Sequence, residues 1–308
     1  MRNIKIAISG ELGSGKTVLS SKLSNVLGME IISVGKIQRQ LAEKYSMTTL
    51  QFNKYMESHP EIDEECDDMV SQYGKEKNPL ILDSRLAWNF VPDSFKVHLL
   101  VDSSIAAKRI YNDNLRTNEK YQTIKEAKEN LIERKKSETL RFKQQYHVDI
   151  DDFSNYDLVI DTTYSTPEVI FEKVLEIFTK WKQEKTFNSI YFSPKSLLPT
   201  QSIREHSFAY TKDISESIKK HGFFDDAPIA VIKYQNRYFI YDGHKRTSAA
   251  IYNKYDIIPC EIIGTEKSVL PFGQKIIDYL MDHYNLTNVY DWEAMHQFNF
   301  PEYLPEIN

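Results

Sequence analysis

The chain has 308 residues, of which 41% are hydrophobic and 27% charged, and its net charge is −5. This balance excludes a disordered or membrane-embedded chain and argues against a protein whose main task is to hold nucleic acid. The length suffices for two domains, and two cysteines are too few for a disulfide framework. We therefore expect a cytoplasmic protein with no membrane partner.

The chain opens with an apolar strand at residues 4–9, the glycine-rich loop Gly-Glu-Leu-Gly-Ser-Gly-Lys-Thr at 10–17, and a helix at 18–28. Strand, glycine loop and helix in this order predict a nucleoside triphosphate site. Backbone N–H groups of the loop can surround phosphates, and the helix N-terminus favours negative charge. The residues expected to hold ATP are Gly10, Gly13, Ser14, Gly15, Lys16 and Thr17. Lys16 is the candidate catalytic residue that reaches the terminal phosphates, and Thr17 is the candidate Mg²⁺ ligand.

Strands and helices alternate along the next 170 residues. Strands are predicted at 29–33, 79–83, 96–101 and 157–161, and helices at 36–45, 50–56, 61–75, 124–146 and 167–182. This alternation predicts an α/β domain over residues 1–183, with a parallel P-loop sheet covered by helices on both faces.

Several motifs of this first domain resemble the archaeal-type cytidylate kinases. They lie at residues 33–39, 52–55, 59–63, 83–88, 133–152 and 156–162. The resemblance covers about residues 1–180. It implies a nucleoside monophosphate kinase-like fold and an ATP- and Mg²⁺-dependent phosphotransferase that acts on a pyrimidine nucleotide or a related acceptor.

The same resemblance implies roles for individual side chains. Substrate would be bound by Ser33, Arg39, Asp83, Arg85, Arg109 and Arg116. Arg39 and Arg85 would face the acceptor's monophosphate, while Arg134 and Arg141 in the lid would be catalytic. Guanidinium groups suit this task because phosphoryl transfer depends on positioning and on neutralising spread negative charge.

Three residues depart from the family pattern on the acceptor side. Lys36 stands where an acidic or neutral residue is usual, Gln38 where an aromatic is usual, and Ser84 replaces a glycine. The donor side keeps its pattern, so the identity of the acceptor stays open.

A second domain is predicted over residues 189–308. Its elements are strands at 190–193, 229–234, 237–241 and 257–263, and a helix at 210–221. Gln235 and Asn236 between two strands predict a tight hairpin. Aromatic residues in the tail from 285 to 308 are expected to pack onto their own domain.

Part of this second domain resembles the ParB/sulfiredoxin superfamily. The motif is Asp-Gly-His-Lys-Arg-Thr at 242–247 between a strand and a helix, preceded by Leu198 and Pro199. The resemblance, over about residues 189–264, implies a smaller α+β domain with a phosphate-binding corner. The corner would be formed by Gln201, Arg204, Glu205, Asp242, Gly243, His244, Lys245, Arg246 and Thr247. His244 takes the place of a sulfiredoxin's reactive cysteine, which disfavours that activity.

Three alternatives to a nucleotide kinase follow from these residues. One is a kinase that acts on a modified base or end in DNA, with DNA as a partner. Another is a free-serine kinase in the second domain, although those enzymes carry a glutamate after the proline where this chain has Thr200 and Gln201, with Glu205 nearby but displaced. The third is a non-enzymatic switch that responds to bound nucleotide. The oligomeric state is not indicated by any motif.

Overall fold

The computed structural model of the chain describes residues 4–113, 121–184, 188–202, 207–223, 227–305 and 307, without the side chains of 207–211 and 272. The chain divides into two compact units, Met1–Asn188 and Ser189–Asn308. Among the helices of these described ranges, none is both long and apolar enough to cross a membrane.

The first unit is built on a sheet whose described strands all run parallel. Its strands are β1 (Lys5–Gly10), β2 (Glu30–Ser33), β3 (Leu80–Asp83), β4 (Phe95–Leu100) and β5 (Leu158–Asp161). They lie in the order β2-β3-β1-β4-β5. The central strand β1 is buried along its whole length, as its apolar run predicts. The prediction of an α/β fold with a parallel sheet is confirmed.

Helices connect these strands. They are α1 (Lys16–Leu27), α2 (Val34–Lys44), α3 (Thr49–Glu57), α4 (Pro60–Lys75), α5 (Ala87–Phe90), α6 (Ser103–Tyr111), α7 (Ile124–Tyr146) and α8 (Pro167–Trp181). Helices α5 and α6 were not predicted from the sequence. A signal for α6 was nevertheless present, because the Asp102 carboxylate caps it by accepting from Ser104 N at 2.8 Å.

Local chemistry sets the ends of several helices. Gly28 adopts φ 65° and ends α1 by donating its N–H to Ser24 O. Thr48 and Gln51 form a reciprocal capping box at the start of α3. Pro60 begins α4, where its missing N–H costs no helical hydrogen bond.

The second unit contains a mixed sheet and helices. Its strands are β6 (Ser189–Phe192), β7 (Leu197–Leu198), β8 (Ile229–Tyr234), β9 (Arg237–Asp242) and β10 (Ile258–Thr265). Its helices are α9 (Ser207–His221), α10 (His244–Tyr252), α11 (Ile276–His283) and α12 (Leu286–His296). β10 is antiparallel to β6 and parallel to β8, while β9 pairs antiparallel with β8 and parallel with β7.

Two features of the second unit follow local rules. Gln235 and Asn236 have φ of 46° and 58°, the two positive values that a type I′ hairpin turn requires. In the aromatic tail, Trp292 and Phe300 are buried, at 1% and 6% exposure, whereas Tyr290 is 48% exposed. The tail therefore contributes core residues to its own unit.

Candidate active site

The glycine loop between β1 and α1 passes very close to neighbouring backbone. Gly10 has φ 143° and Gly13 has φ 77°. A Cβ atom at Gly10 would lie 2.5 Å from Leu99 O, and one at Gly13 would lie 3.0 Å from Cα of Ala106. Both positions therefore require glycine, which brings the loop down onto β4 and α6 at the carboxyl end of the sheet.

Lys16, the first residue of α1, turns its ammonium back into this loop. Its Nζ atom donates to Gly10 O at 2.8 Å and to Glu11 O at 2.7 Å. Arg85 Nη1 donates to the same Gly10 oxygen. Burial, assisted by the charge of Arg85 and opposed by Asp83 and Glu138, lowers the pKa of Lys16 well below its usual range. Two cations that share one carbonyl oxygen form a site that an anion such as phosphate would stabilise.

The predicted acceptor-side residues meet at the ends of β2 and β3. Ser33 lies opposite Asp83 in the strand register, and its hydroxyl donates to Asp83 Oδ2 at 3.0 Å. Arg85 follows two residues later, and Arg39 lines the same cavity from α2. The fold therefore brings Ser33, Asp83, Arg85 and Arg39 to one edge of the sheet.

A buried carboxylate, Glu138, lies between two of the predicted arginines. Glu138 Oε2 pairs with Arg85 Nε, and its Oε1 with Arg134 Nε, both at 3.0 Å. Burial opposes ionisation of Glu138, but Arg85, Arg134 and Arg141 outweigh it and lower the pKa of this carboxyl to about 2. Glu138 is therefore a permanent anion within the cluster.

Arg141 is buried one turn further along α7 and contacts the helices that precede β3. Its Nε donates to Asp63 Oδ2 at 2.8 Å and its Nη1 to Asn53 O at 3.1 Å. Ser137 Oγ accepts from the same Nη1 at 3.2 Å. The guanidinium thus joins α7 to α3 and α4.

Arg109 lies on α6, before α7 in the chain. It donates to Gly13 O at 3.3 Å, and its Nη2 donates to Thr162 O at 2.6 Å and to Thr163 O at 3.2 Å. These contacts place Arg109 beside the glycine loop. Arg116, Arg204 and Glu205 lie outside the described residues.

One cavity of about 850 Å³ joins these groups in the first unit. That volume is within the usual range for small-molecule sites. The predicted residues that line it are Gly13, Gly15, Lys16, Thr17, Ser33, Arg39, Asp83, Arg85, Arg109, Arg134 and Arg141. Lys36, Gln38 and Ser84, which depart from the family pattern, also line it.

Asp67, on α4, adds a titratable group to the cavity wall. Burial raises the pKa of Asp67 to about 7, while its hydrogen bond with Tyr146 partly opposes the rise. The neighbouring Asp63 and Asp68 raise it further, and Arg141 lowers it. This carboxyl therefore changes charge near neutral pH.

Sequence reasoning missed several charged residues that hold the site together. Glu11, inside the glycine loop, accepts from Val101 N at 2.9 Å and pairs with Lys135 of α7 at 2.6 Å. No local sequence signal indicates that long-range pair. The Arg134–Glu138 pair does have one, namely the i,i+4 spacing of opposite charges on a helix.

Residues 242–247, which were predicted to form the corner of the second unit, lie at the end of β9 and the start of α10. Gly243 precedes the helix with φ 102°. His244 is buried, and its Nε2 accepts from Thr200 N at 3.1 Å. Burial lowers the pKa of His244 to about 4. Its ring therefore acts as a neutral core acceptor.

The charged residues of this corner are arranged near its surface. Arg246 donates to Asp242 Oδ2 at 3.0 Å and to the carbonyl of Ala227. Lys245 and Gln201 are exposed, and Thr247 is buried with its hydroxyl donating to Gly243 O at 3.1 Å.

A parallel sheet with a glycine loop, a buried loop lysine and converging arginines defines a P-loop phosphotransferase. Residues 5–164 match the cytidylate kinase-like family, and the chain belongs to this family. The prediction that it is a kinase is confirmed.

Similar proteins include cytidylate kinases and a larger enzyme. The cytidylate kinase of Thermoplasma volcanium is 32% identical over 188 residues, which are 60% of this chain and 96% of that kinase. The cytidylate kinase of Methanosarcina barkeri is 36% identical over 162 residues, 52% of this chain and 87% of that kinase. An S-adenosylmethionine-dependent nucleotide dehydratase of Lacinutrix mariniflava is 33% identical over 189 residues, 61% of this chain but 38% of that enzyme's length.

Proposed function

We propose that the first unit transfers the γ-phosphate of ATP to a pyrimidine nucleoside monophosphate. The observation that carries this proposal is the single cavity that joins Lys16 and Thr17 to Ser33, Arg39 and Arg85. A donor phosphate at the glycine loop and an acceptor phosphate at Arg39 would meet within it at Arg85. Holding both reactants in one geometry is the main contribution that such enzymes make.

Side chains around the glycine loop suit ATP and Mg²⁺. The ammonium of Lys16 donates to two neutral carbonyl oxygens of the loop, and a polyphosphate would add an anionic partner to them. Thr17 is exposed in the first turn of α1 and lines the cavity. Its hydroxyl would be one oxygen ligand of Mg²⁺, which prefers to complete its shell with phosphate oxygens and water. Mg²⁺ would neutralise charge on the phosphates.

The arginines divide into two groups by their contacts. Arg85 and Arg134 line the cavity beside Lys16, and we assign them to the transferring phosphoryl group. Arg141 is engaged by Asp63 and Asn53. For Arg141 we therefore favour the task of holding the acceptor-side helices against α7.

A labelled transfer assay tests this function. ATP carrying a radioactive γ-phosphate is offered with CMP, dCMP, UMP, dUMP, free serine or duplex DNA. We expect label on a pyrimidine monophosphate, and we expect Lys16→Ala to reduce the rate by about 10²–10³-fold, the usual cost of removing one group that stabilises the transition state. Lys22→Ala is the matched control, because Lys22 lies on the same helix but pairs with Glu168 at 2.8 Å.

Each other result of that assay contradicts the proposal in a definite way. Label on DNA or on serine would show that the acceptor is not a pyrimidine monophosphate. Nucleotide binding without transfer to any acceptor would favour a non-enzymatic switch. The geometry of the second unit gives little support to a free-serine kinase. Thr200, which follows the proline, is buried, and its hydroxyl donates to Ile240 O at 2.6 Å.

For the second unit we propose a ParB/sulfiredoxin-like domain that binds a nucleotide phosphate at its corner. Support comes from Gly243, whose positive φ opens the N-terminus of α10, and from Lys245 and Arg246 in the first turn. We also propose a cytoplasmic location. Cys66 and Cys260 are both buried free thiols, as suits a reducing compartment.

A further inference from the structure

Glu138 connects the two arginines that the proposed reaction needs. It lies in the middle of α7, its side chain is 5% exposed, and it lines the cavity together with Arg85 and Arg134. Each of its carboxylate oxygens faces a different guanidinium: Oε1 accepts a hydrogen bond from Arg134 Nε, and Oε2 forms an ion pair with Arg85 Nε, both at 3.0 Å. The Glu138 carboxylate therefore contacts both arginines at the same time.

Arg85, one of the two arginines that Glu138 contacts, is also held by the glycine loop. Arg85 also donates through Nη1 to Gly10 O, the oxygen that Lys16 contacts at 2.8 Å. A chain of contacts thus runs from α7 through Glu138 and Arg85 to the glycine loop. Rigid placement of this kind fixes where positive charge points before any ligand arrives.

A carboxylate in a phosphate-binding cavity repels substrate unless it has another task. Glu138 remains ionised, because the surrounding guanidinium groups hold its pKa at about 2. Glu138 contacts the Nε atom of each arginine, the guanidinium nitrogen closest to the aliphatic part of the side chain. These contacts orient each guanidinium group. Orientation, rather than substrate contact, is the task that fits this geometry.

We propose that Glu138 is a positioning residue, whose carboxylate orients Arg85 and Arg134 toward the same phosphoryl group. It does not contact the substrate itself. This inference rests on the proposed phosphoryl transfer in the first unit.

Glu138→Gln tests the role in the full-length chain. The amide keeps the shape, but its oxygen can accept from one Nε only, and its N–H₂ group faces the other Nε–H. We expect kcat with CMP to fall about 10- to 100-fold, as for other small displacements of catalytic groups. The Kd for ATP, measured by calorimetry, should stay within about twofold, because the glycine loop and Lys16 still hold the donor and the two arginines act mainly on the transition state.

Glu133→Gln is the matched control, since Glu133 lies on the same helix and pairs with Lys54 at the surface. It should leave kcat and Kd unchanged. Glu138→Asp retains the buried charge and guards against misfolding of the amide variant, because removing one member of a buried ion pair can itself unfold a protein. The shorter side chain cannot reach both Nε atoms, so its kcat should also fall.

The outcomes separate the two proposals. If wild-type protein transfers no phosphate, the proposed function fails and the role of Glu138 fails with it. If wild-type protein is active and either variant keeps or exceeds its kcat while remaining folded, only the positioning role is overturned. A parallel loss of ATP affinity would point to general damage of the site and would also overturn it.

Discussion

At the residue scale, the candidate site is a set of buried charges whose partners are distant in sequence. They include Lys16 from α1, Arg85 from the segment after β3, and Glu138 from α7. Each side chain alone would be costly to bury, and Glu138 offsets part of the positive charge of Lys16 and Arg85. A bound polyphosphate would add anionic partners to this set.

Asp67 gives a pH-dependent prediction at this scale. Its pKa is raised from 3.8 to about 7, chiefly by burial, so the folded state binds a proton that the unfolded state has released. Stability therefore falls as the pH rises from about 4 to 7 and is lowest above 7. Between pH 5 and 8, Asp67→Asn should gain about 2–3 kcal/mol relative to wild type, at 1.36 kcal/mol per pKa unit.

Urea unfolding of the first unit at pH 5, 6, 7 and 8 measures this difference. The relevant transition is the one that ATP shifts. Glu61→Gln is the control, because Glu61 is exposed at the start of the same helix and its replacement should not reproduce the pH-dependent gain. A constant difference between Asp67→Asn and wild type across the pH range would contradict the assignment.

At the element scale, the acceptor side of the cavity depends on how short helices are fixed to α7. Helix α3 contains Asn53, whose backbone carbonyl oxygen accepts a hydrogen bond from Arg141 Nη1 at 3.1 Å. The start of α3 is set by the Thr48–Gln51 capping box. Helix ends therefore help to place the wall that faces the acceptor.

Thr48→Ala tests the contribution of that cap. The Thr48 hydroxyl accepts from Gln51 N at 3.2 Å, and Gln51 Oε1 accepts from Thr48 N at 2.9 Å. Loss of the hydroxyl should lower the free energy of unfolding by about 1 kcal/mol. Urea denaturation of the first unit measures the change. Thr48→Ser keeps the acceptor oxygen and should be nearly neutral, and an equal loss in both variants would exclude the cap as the cause.

At the scale of the whole molecule, the chain divides into two compact units. Two units of this kind are expected to unfold in separate steps, since two-state unfolding is a property of single domains. Ligand binding then identifies each step, because a ligand stabilises only the unit that holds it.

Calorimetric unfolding with ATP and Mg²⁺ gives the prediction at this scale. At a ligand concentration 100 times its Kd, the first unit should gain about 2.7 kcal/mol, and its transition should move to higher temperature. Lys16→Ala should lose this shift, while Lys22→Ala should keep it. The transition of the second unit tests its proposed corner. A shift by ATP, ADP or CTP that Lys245→Ala abolishes supports it, and no shift by any of them contradicts it.

The sequence by itself was sufficient for the features that local rules govern. The order of glycines at 10–15, the cap at Thr48, the stop at Gly28 and the hairpin at Gln235 all depend on residues within a few positions of one another. The kinase family was recognisable for the same reason, because its motifs are short and follow one another in a set order.

Tertiary structure alone decided which charges meet. The pairs Glu11–Lys135, Arg85–Glu138 and Asp63–Arg141 join residues separated by tens of positions or more. No periodicity specifies such partners, since they depend on how α7 packs across the carboxyl end of the sheet. Burial then sets the pKa values of Lys16, Asp67 and Glu138, because the cost of removing a charge from water depends on what surrounds it after folding.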